Sequence, residues 1–330
     1  MQYDFIAVGD VTTDSFIKLK MGVHLDPPHD GNPRSVCLNF GEKIEYEEVK
    51  VIHGVGNAAN AAVSAQYLGL NAALVTDIGT DPLGDENLAV WQKAGVATEY
   101  VHRHAEYPTH HHYVLSFGPE RTILIKHQPW PYKLPAFAEL PKWMYFTSTG
   151  AHGESYHHEI ADYVKQSGVK LAFQPGTFQI GFGLDKIRDL YEVTELFFCN
   201  KEEAQKILGS KEEDIVALAR AILTVGPKMA SVTDGPNGAC AVNSEGAWTI
   251  PMYPDPAPPV NRTGAGDAYA STVTSMLARG MSLADALVRG PINSMNVVQH
   301  VGAQTGLLKL AQVEELLKNA SPNYVLTKVG

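Results

Sequence analysis

Short apolar runs alternate with helical patterns along most of this chain, and that alternation limits the fold more than any other feature. From Trp143 it is regular: a strand over 143–147, a helix over 155–167, a strand over 170–173, a helix near 183–191 and a strand over 195–198. Strands separated by helices return in parallel, and a parallel sheet is covered on both faces. The 330 residues, 45% of them apolar, suffice for one large α/β domain or two small ones. The formal net charge of −10 argues against nucleic acid or an anionic membrane as the main partner. A small anionic ligand needs only local positive potential and is not excluded. Cys37, Cys199 and Cys240 lie far apart, form no metal-ligand pair and suggest a reducing compartment. The N-terminus runs directly into Asp4-Phe5-Ile6-Ala7-Val8-Gly9, without a basic or long apolar leader, so a soluble cytoplasmic protein is expected.

Two regions break the alternation. Phe5–Val8 reads as a buried strand, followed by an alternating stretch at Phe16–Leu19, a loop over 22–34, and strands at Val36–Phe40 and Ile44–Val49. Strands near 98–104, 111–117 and 121–126 likewise follow one another without a helix. Both sets are assigned to one small sheet beside the main domain. The boundaries are 14–47 and 98–126 for the small sheet, and 1–13, 48–97 and 127–330 for the α/β core. His110 and His112 share a strand face and could ligate a metal. Polar residues touching a substrate are the preferred reading, because no acid or cysteine pairs with them in sequence.

Two stretches carry chemistry. In Asn261-Arg262-Thr263-Gly264-Ala265-Gly266-Asp267-Ala268, the glycines open an apolar helix. The free N–H groups there favour an anion, and glycine lets a phosphate approach closely. Asp267 is either an ordinary first-turn acid or a base that takes a proton from a hydroxyl. In Gly54-Val55-Gly56-Asn57-Ala58-Ala59-Asn60, a strand turns into a helix. Gly54, Gly56 and Ala59, with Asp77 further on, fit a dinucleotide fingerprint and an NAD-dependent dehydrogenase. Small residues here leave room for a ligand, and the amides of Asn57 and Asn60 supply both donors and acceptors. Asn57 could be a helix cap, whereas Asn60 is a poor interior helix former that capping does not explain.

Together these motifs resemble the two signatures of the ribokinase (PfkB) family of sugar and nucleoside kinases. Thr263–Ala268 is similar to the second signature, with Asn261 and Arg262 replacing Asp and Thr. Gly56–Asn60 with Leu68-Gly69 is similar to the first, with Val55 replacing a glycine. The resemblance spans essentially the whole chain and implies a ribokinase-like three-layer α/β sandwich: a mainly parallel central sheet and a small β-sheet lid, which often forms a dimer. It implies an ATP-dependent kinase that transfers the γ-phosphoryl group to a hydroxymethyl group of a sugar. A nucleoside kinase of the same family is the alternative, and a non-catalytic binding relative is disfavoured by Asp267. It further implies Asp267 as base, with Gly264, Ala265 and Gly266 offsetting charge on the phosphoryl group. Thr12, Asp14, Gly56, Asn57 and Asn60 are expected at the substrate. Thr12 stands where ribokinases carry Asn, and Gln174 where many relatives carry Asp. Asn200, Thr233, Gly235, Gly238, Arg262 and Gly302 are expected at the nucleotide, although 233–238 also reads as an ordinary turn. Glu203 of Asn200-x-x-Glu203 is expected to organise Mg²⁺ through water, although acids are common in a first helical turn. The family Asp at 261 helps bind K⁺, so with Asn261 weak or absent K⁺ dependence is expected. Arg103, Arg121 and Lys126 could meet a charged substrate.

Overall fold

The first strand, β1 (Phe5–Val8), has no exposed residue. Phe5 and Ala7 enter one hydrophobic cluster while Ile6 and Val8 enter another, as a period of two requires. A strand buried on both faces lies inside a covered sheet. The computed structural model, which describes residues 2–20, 24–26, 35–117 and 120–329, places β1 in a ten-stranded sheet.

Along the chain follow β2 (Thr12–Leu19), β3 (His24–Asp26), β4 (Ser35–Cys37), β5 (Tyr46–Val55) and the first helix, α1 (Asn57–Tyr67). Next come β6 (Ala72–Gly79), α2 (Pro82–Lys93), β7 (Val101–His104), β8 (His111–Phe117) and β9 (Glu120–Leu124). The alternating part runs β10 (Trp143–Phe146), α3 (Glu154–Ser167), β11 (Lys170–Phe173), α4 (Thr177–Phe182), α5 (Arg188–Val193), β12 (Leu196–Asn200), α6 (Lys201–Leu208), α7 (Ile215–Leu223) and β13 (Met229–Thr233). It closes with β14 (Ala239–Asn243), β15 (Gly246–Ile250), α8 (Ala265–Ala278), α9 (Leu283–Leu287), α10 (Gly290–Val298), α11 (Leu310–Lys318) and β16 (Thr327–Val329).

In the large sheet the order is β16-β15-β14-β13-β12-β11-β10-β1-β6-β7. Pairing is parallel from β7 through β13 and antiparallel beyond. Helices α1, α2 and α8–α11 pack on one face, and α3 and α5–α7 on the other. The result is three layers. From β1 the chain first builds outward through β6 and β7, then returns to build β10 to β13 on the other side. Ligands of such sheets bind beyond the strand ends where the order reverses. Here that is the end of β1 and β10.

A second sheet has the order β5-β2-β8-β9. Its register aligns Val51, Ser15, Tyr113 and Leu124 in one row. Val51, Tyr113 and Leu124 are exposed, whereas Phe16 and Val114 on the opposite face are buried. Several sequence expectations need correction. The strand expected near 98–104 is β7, which joins the large sheet, because Thr76–Gly79 offers it a parallel edge. The strand expected at Ile44–Val49 and the one expected to turn into a helix at Gly54–Asn60 are one strand, β5, wholly in the second sheet, because Lys50 pairs with Phe16 and bridges them. Residues 48–55 and 12–13 therefore lie in the second sheet. Within the expected loop at 22–34, residues 24–26 form β3; 22, 23 and 27–34 lie outside the described residues. Residues 283–298, apolar at helical spacing throughout, form two helices, α9 and α10, since Pro291 starts a new helix more readily than it continues one. No helix among the described residues is long and apolar enough to cross a membrane.

Candidate active site

Helix α8 is buried from Asp267 to Met276. Ala268, Ala270 and Ser271 keep its surface small, as Ala58, Ala61 and Ala62 do for α1. The two helices therefore lie close, and Ser271 Oγ donates to Ser64 Oγ at 2.8 Å. That packing brings their N-termini together. Asn57 Nδ2 donates to Asp267 Oδ1 at 3.0 Å, and Asn60 Nδ2 to Oδ2 at 2.8 Å. Gln174, just after β11, donates to Oδ1 at 3.4 Å. Burial pushes the Asp267 carboxyl above its usual range, and the three amides oppose that by favouring the ionised form. Gly264 is the N-cap of α8 with φ 84°, and a Cβ there would lie 2.3 Å from Ala303 Cβ. Only glycine fits this entry to the helix.

Beside this N-terminus lies a cavity of about 330 Å³. Thr233, Gly235, Gly238, Arg262, Ala265 and Gly266 line its polar side. Met252, Pro259, Met295 and Val298 supply an apolar wall. Six of the residues expected at the phosphates or nucleotide thus come together from two separate stretches of chain, 233–238 and 262–266. Gly264, Asn200 and Gly302 do not line it. Asn200 caps α6: Glu203 N–H donates to Asn200 Oδ1 at 2.8 Å, and Asn200 N–H donates to Glu203 Oε2 at 2.9 Å. Burial raises the Glu203 carboxyl, against the Asn200 N–H, with the charges of Glu202 and Asp267 adding. Gly302 instead lies against Ile52 of β5, where a Cβ would meet Ile52 Cδ1 at 2.5 Å.

On the other side of Asp267, Gly56 is the N-cap of α1, with φ 107°. A Cβ there would meet Val11 Cα at 2.8 Å, so this glycine seats α1 against the end of β1. Thr12 Oγ1 donates within the chain, to Thr13 O at 3.0 Å and His110 O at 3.3 Å. Burial lifts the Asp14 carboxyl to about 7. Its Oδ1 is 3.7 Å from His112 Nδ1, and burial lowers that imidazole to about 3. His112 also packs near His127, which stands edge-on to Phe178 of α4. Asp10, His110 and His127 place ligand atoms within 4.8 Å of one another. Gln128 N–H, however, donates to His110 Nε2 at 2.8 Å. The ring proton is then on Nδ1, and neutral His110 has no free lone pair for a metal. His127 Nδ1 bonds Asp10 at 2.8 Å, and Tyr132 Oη donates to the same carboxylate. Within the run, His110 accepts from Gln128 N–H and His111 Nε2 bonds Ser15 Oγ at 2.8 Å, whereas His112 is held by packing against His110 and His127.

A family model described as pfkB family carbohydrate kinase matches residues 28–310. The chain belongs to the pfkB family of carbohydrate kinases. An ATP-dependent 6-phosphofructokinase of Thermoanaerobacterium thermosaccharolyticum is 23% identical, across 96% of this chain and 94% of its own. A nucleoside kinase of Methanothermobacter thermautotrophicus is 24% identical, across 92% of each. The structure of Arabidopsis thaliana ribokinase complexed with ribose and ATP has a TM-score of 0.78 at 20% identity, covering 96% of this chain and 99% of that one. The fold is that of the ribokinases.

As a pfkB kinase the protein is a phosphotransferase of the sugar and nucleoside kinase type. The dehydrogenase reading of residues 54–77 has no support, and the geometry explains why. Gly54 is packed, its N–H on Asn87 Oδ1 and its carbonyl on Trp91 Nε1, each at 2.7 Å, which leaves no room for a pyrophosphate. Asp77 is buried and bonded by His104 Nε2 at 2.7 Å. Two residues at the site were not marked by sequence pattern: Tyr145, which falls within the strand expected over 143–147, and Asn87. Gln174 was noticeable only as a departure from the pfkB pattern.

Proposed function

We propose that the protein transfers the γ-phosphoryl group of ATP to a hydroxymethyl group of a sugar, with Asp267 as general base. The observation that carries this is a buried, amide-held carboxylate in the first turn of α8, beside a cavity lined by Ala265 and Gly266. The phosphates would lie over the first turn of α8, where N–H groups and the helix dipole offset anionic charge. Arg262, on the cavity wall, would add a fixed cation. The adenine would occupy the apolar wall at Met252 and Met295. Glu203 fits Mg²⁺: one oxygen is used by the α6 cap, and the other carries no hydrogen bond among the described residues. Mg²⁺ held there through water would neutralise charge on the phosphates. The acceptor would lie under the second sheet, between Gly56, Asn57, Gln174 and Asp14, with its hydroxyl at Asp267.

The test is ADP release with ATP and Mg²⁺ across sugars, sugar phosphates and nucleosides. A sugar turning over best supports the reading, a nucleoside the alternative within the family. ADP release from none of them would overturn it. The exposed row of Val51, Tyr113 and Leu124 supports a homodimer through the second sheet. Sedimentation of the wild type and Tyr113→Lys checks this: a dimer that the variant splits is expected, and a monomeric wild type refutes it.

A further inference from the structure

Asp267 is held by three amides, and two of them are themselves fixed from behind. Gln304 Nε2 donates to Gly54 O at 2.7 Å and to Asn60 Oδ1 at 3.1 Å. A backbone carbonyl only accepts, so it sets which end of Gln304 faces Asn60. Asn60 must then present its carbonyl to Gln304 and its NH₂ to Asp267. On the other side, Tyr145 Oη donates to Gln174 Oε1, which turns Gln174 Nε2 towards Asp267. Tyr145 is completely buried and its ring stacks on Phe5 at 5.5 Å, so the hydroxyl has one place to be. Among the described residues, Asn57 has no such support: it is only partly buried, and its one side-chain hydrogen bond is to Asp267 Oδ1.

We propose that Tyr145 and Gln304 are positioning residues for Asp267, each fixing an amide that holds the carboxylate, and that the acceptor hydroxyl displaces Asn57. The inference rests on the reading of Asp267 as base. Asn60, expected at the substrate, gives one N–H to Asp267 and takes one from Gln304, so it also serves the base. When a hydroxyl replaces Asn57 at Oδ1, Gln174 and Asn60 still hold the carboxylate plane. The hydroxyl proton then passes to Oδ1 as the oxygen attacks the γ-phosphorus and the bond to the ADP oxygen breaks. The titratable groups that couple to Asp267 are Tyr145 on β10 and Glu203 on α6. Tyr145 stays protonated, since burial raises it well above its usual value.

The test uses Tyr145→Phe, Gln304→Met, Gln174→Met and the Tyr145→Phe/Gln174→Met pair. The Asp267 carboxyl is followed by ¹³C NMR titration, its signal assigned by loss in Asp267→Asn. Losing donors to the ionised form moves its pKa further up in Tyr145→Phe and in Gln304→Met. Tyr145→Phe adds nothing once Gln174 is Met, because it acts through that amide. With ribose, fructose 6-phosphate or adenosine as acceptor, kcat falls about tenfold in each single variant while ATP affinity is unchanged, less than the ~10² of a full ångström misplacement. The two variants approach Asp267 from opposite sides, so one that fails to fold leaves the other to decide. Unmoved titrations, a loss confined to the acceptor KM, or an equal effect of Tyr145→Phe in the Gln174→Met background would each overturn the proposal. Absence of turnover with all three acceptors counts against the substrate reading only, since the titration needs no acceptor.

Discussion

A single carboxylate, Asp267, carries the chemistry proposed for this protein. Asp267→Asn keeps the shape but removes the base, and its NH₂ replaces one of the two oxygens that accept from Asn57 and Asn60 of α1. Turnover should fall by about 10²–10⁴, the usual worth of a general base, while ATP affinity stays within a few-fold. The check is kcat at saturating acceptor together with calorimetric titration of ATP; a variant with near-normal kcat would make Asp267 an ordinary helix-end acid. Asp14 makes a different residue-scale prediction. Burial lifts its folded pKa to about 7, above its unfolded value. A raised pKa means the favourable contribution is complete at pH below the unfolded value and is lost as pH rises through about 7. Asp14→Asn should therefore gain stability relative to wild type between pH 4 and 8, by on the order of a few kcal/mol. Urea unfolding of both proteins across that range measures the difference, and a pH-independent difference would rule it out.

At the scale of the element, the N-terminus of α8 depends on two small details. Gly264 at φ 84° has Ala303 against it, so Gly264→Ala meets both backbone strain and a steric clash. It should cost about 1–3 kcal/mol of stability and weaken ATP, because the first turn must shift away from Ala303. Denaturant midpoints and ATP titration report the two effects separately. The loop before it bears on K⁺. Asn261 Oδ1 already accepts the Thr263 N–H at 2.7 Å, so this neutral side chain has its only oxygen engaged in the turn. Cations bind oxygen sites more weakly as ligand charge falls. Initial rates should rise little with KCl when ionic strength is balanced with a tetramethylammonium salt. A many-fold saturable rise would show that other oxygens suffice.

In the whole molecule, the second sheet continues from β1 through the Gly9–Val11 turn and returns to the core through Gly56 at the start of α1. Its inner face carries Asp14, Phe16 and His112, and Ile52 reaches Gly302 at the far edge of the site. If it closes over the acceptor, amide hydrogen exchange in β2, β5 and β8 should slow when acceptor and ATP are added. Equal exchange with and without ligands would count against closure.

Much of this was legible in the chain itself. Alternating apolar and helical patterns implied the parallel sheet, since a strand such as Phe5–Val8 has nowhere polar to face. The glycines at 264 and 56 were legible because their conformations exclude other residues, and Asp267 because a carboxylate beside an anion site needs a reason. Local pattern also misled: it split β5 in two and gave β7 to the wrong sheet, because which edge a strand joins depends on partners distant in sequence. The same limit applies to the base. Tyr145, Gln174, Asn60 and Gln304 come from four separate segments, and hydrogen-bond direction across them has no local signature. Sequence determined which residue types and turns were available. Only the close packing of α1 against α8 decided that Asn60 faces Asp267, because a buried carboxylate must find its donors wherever the fold brings them.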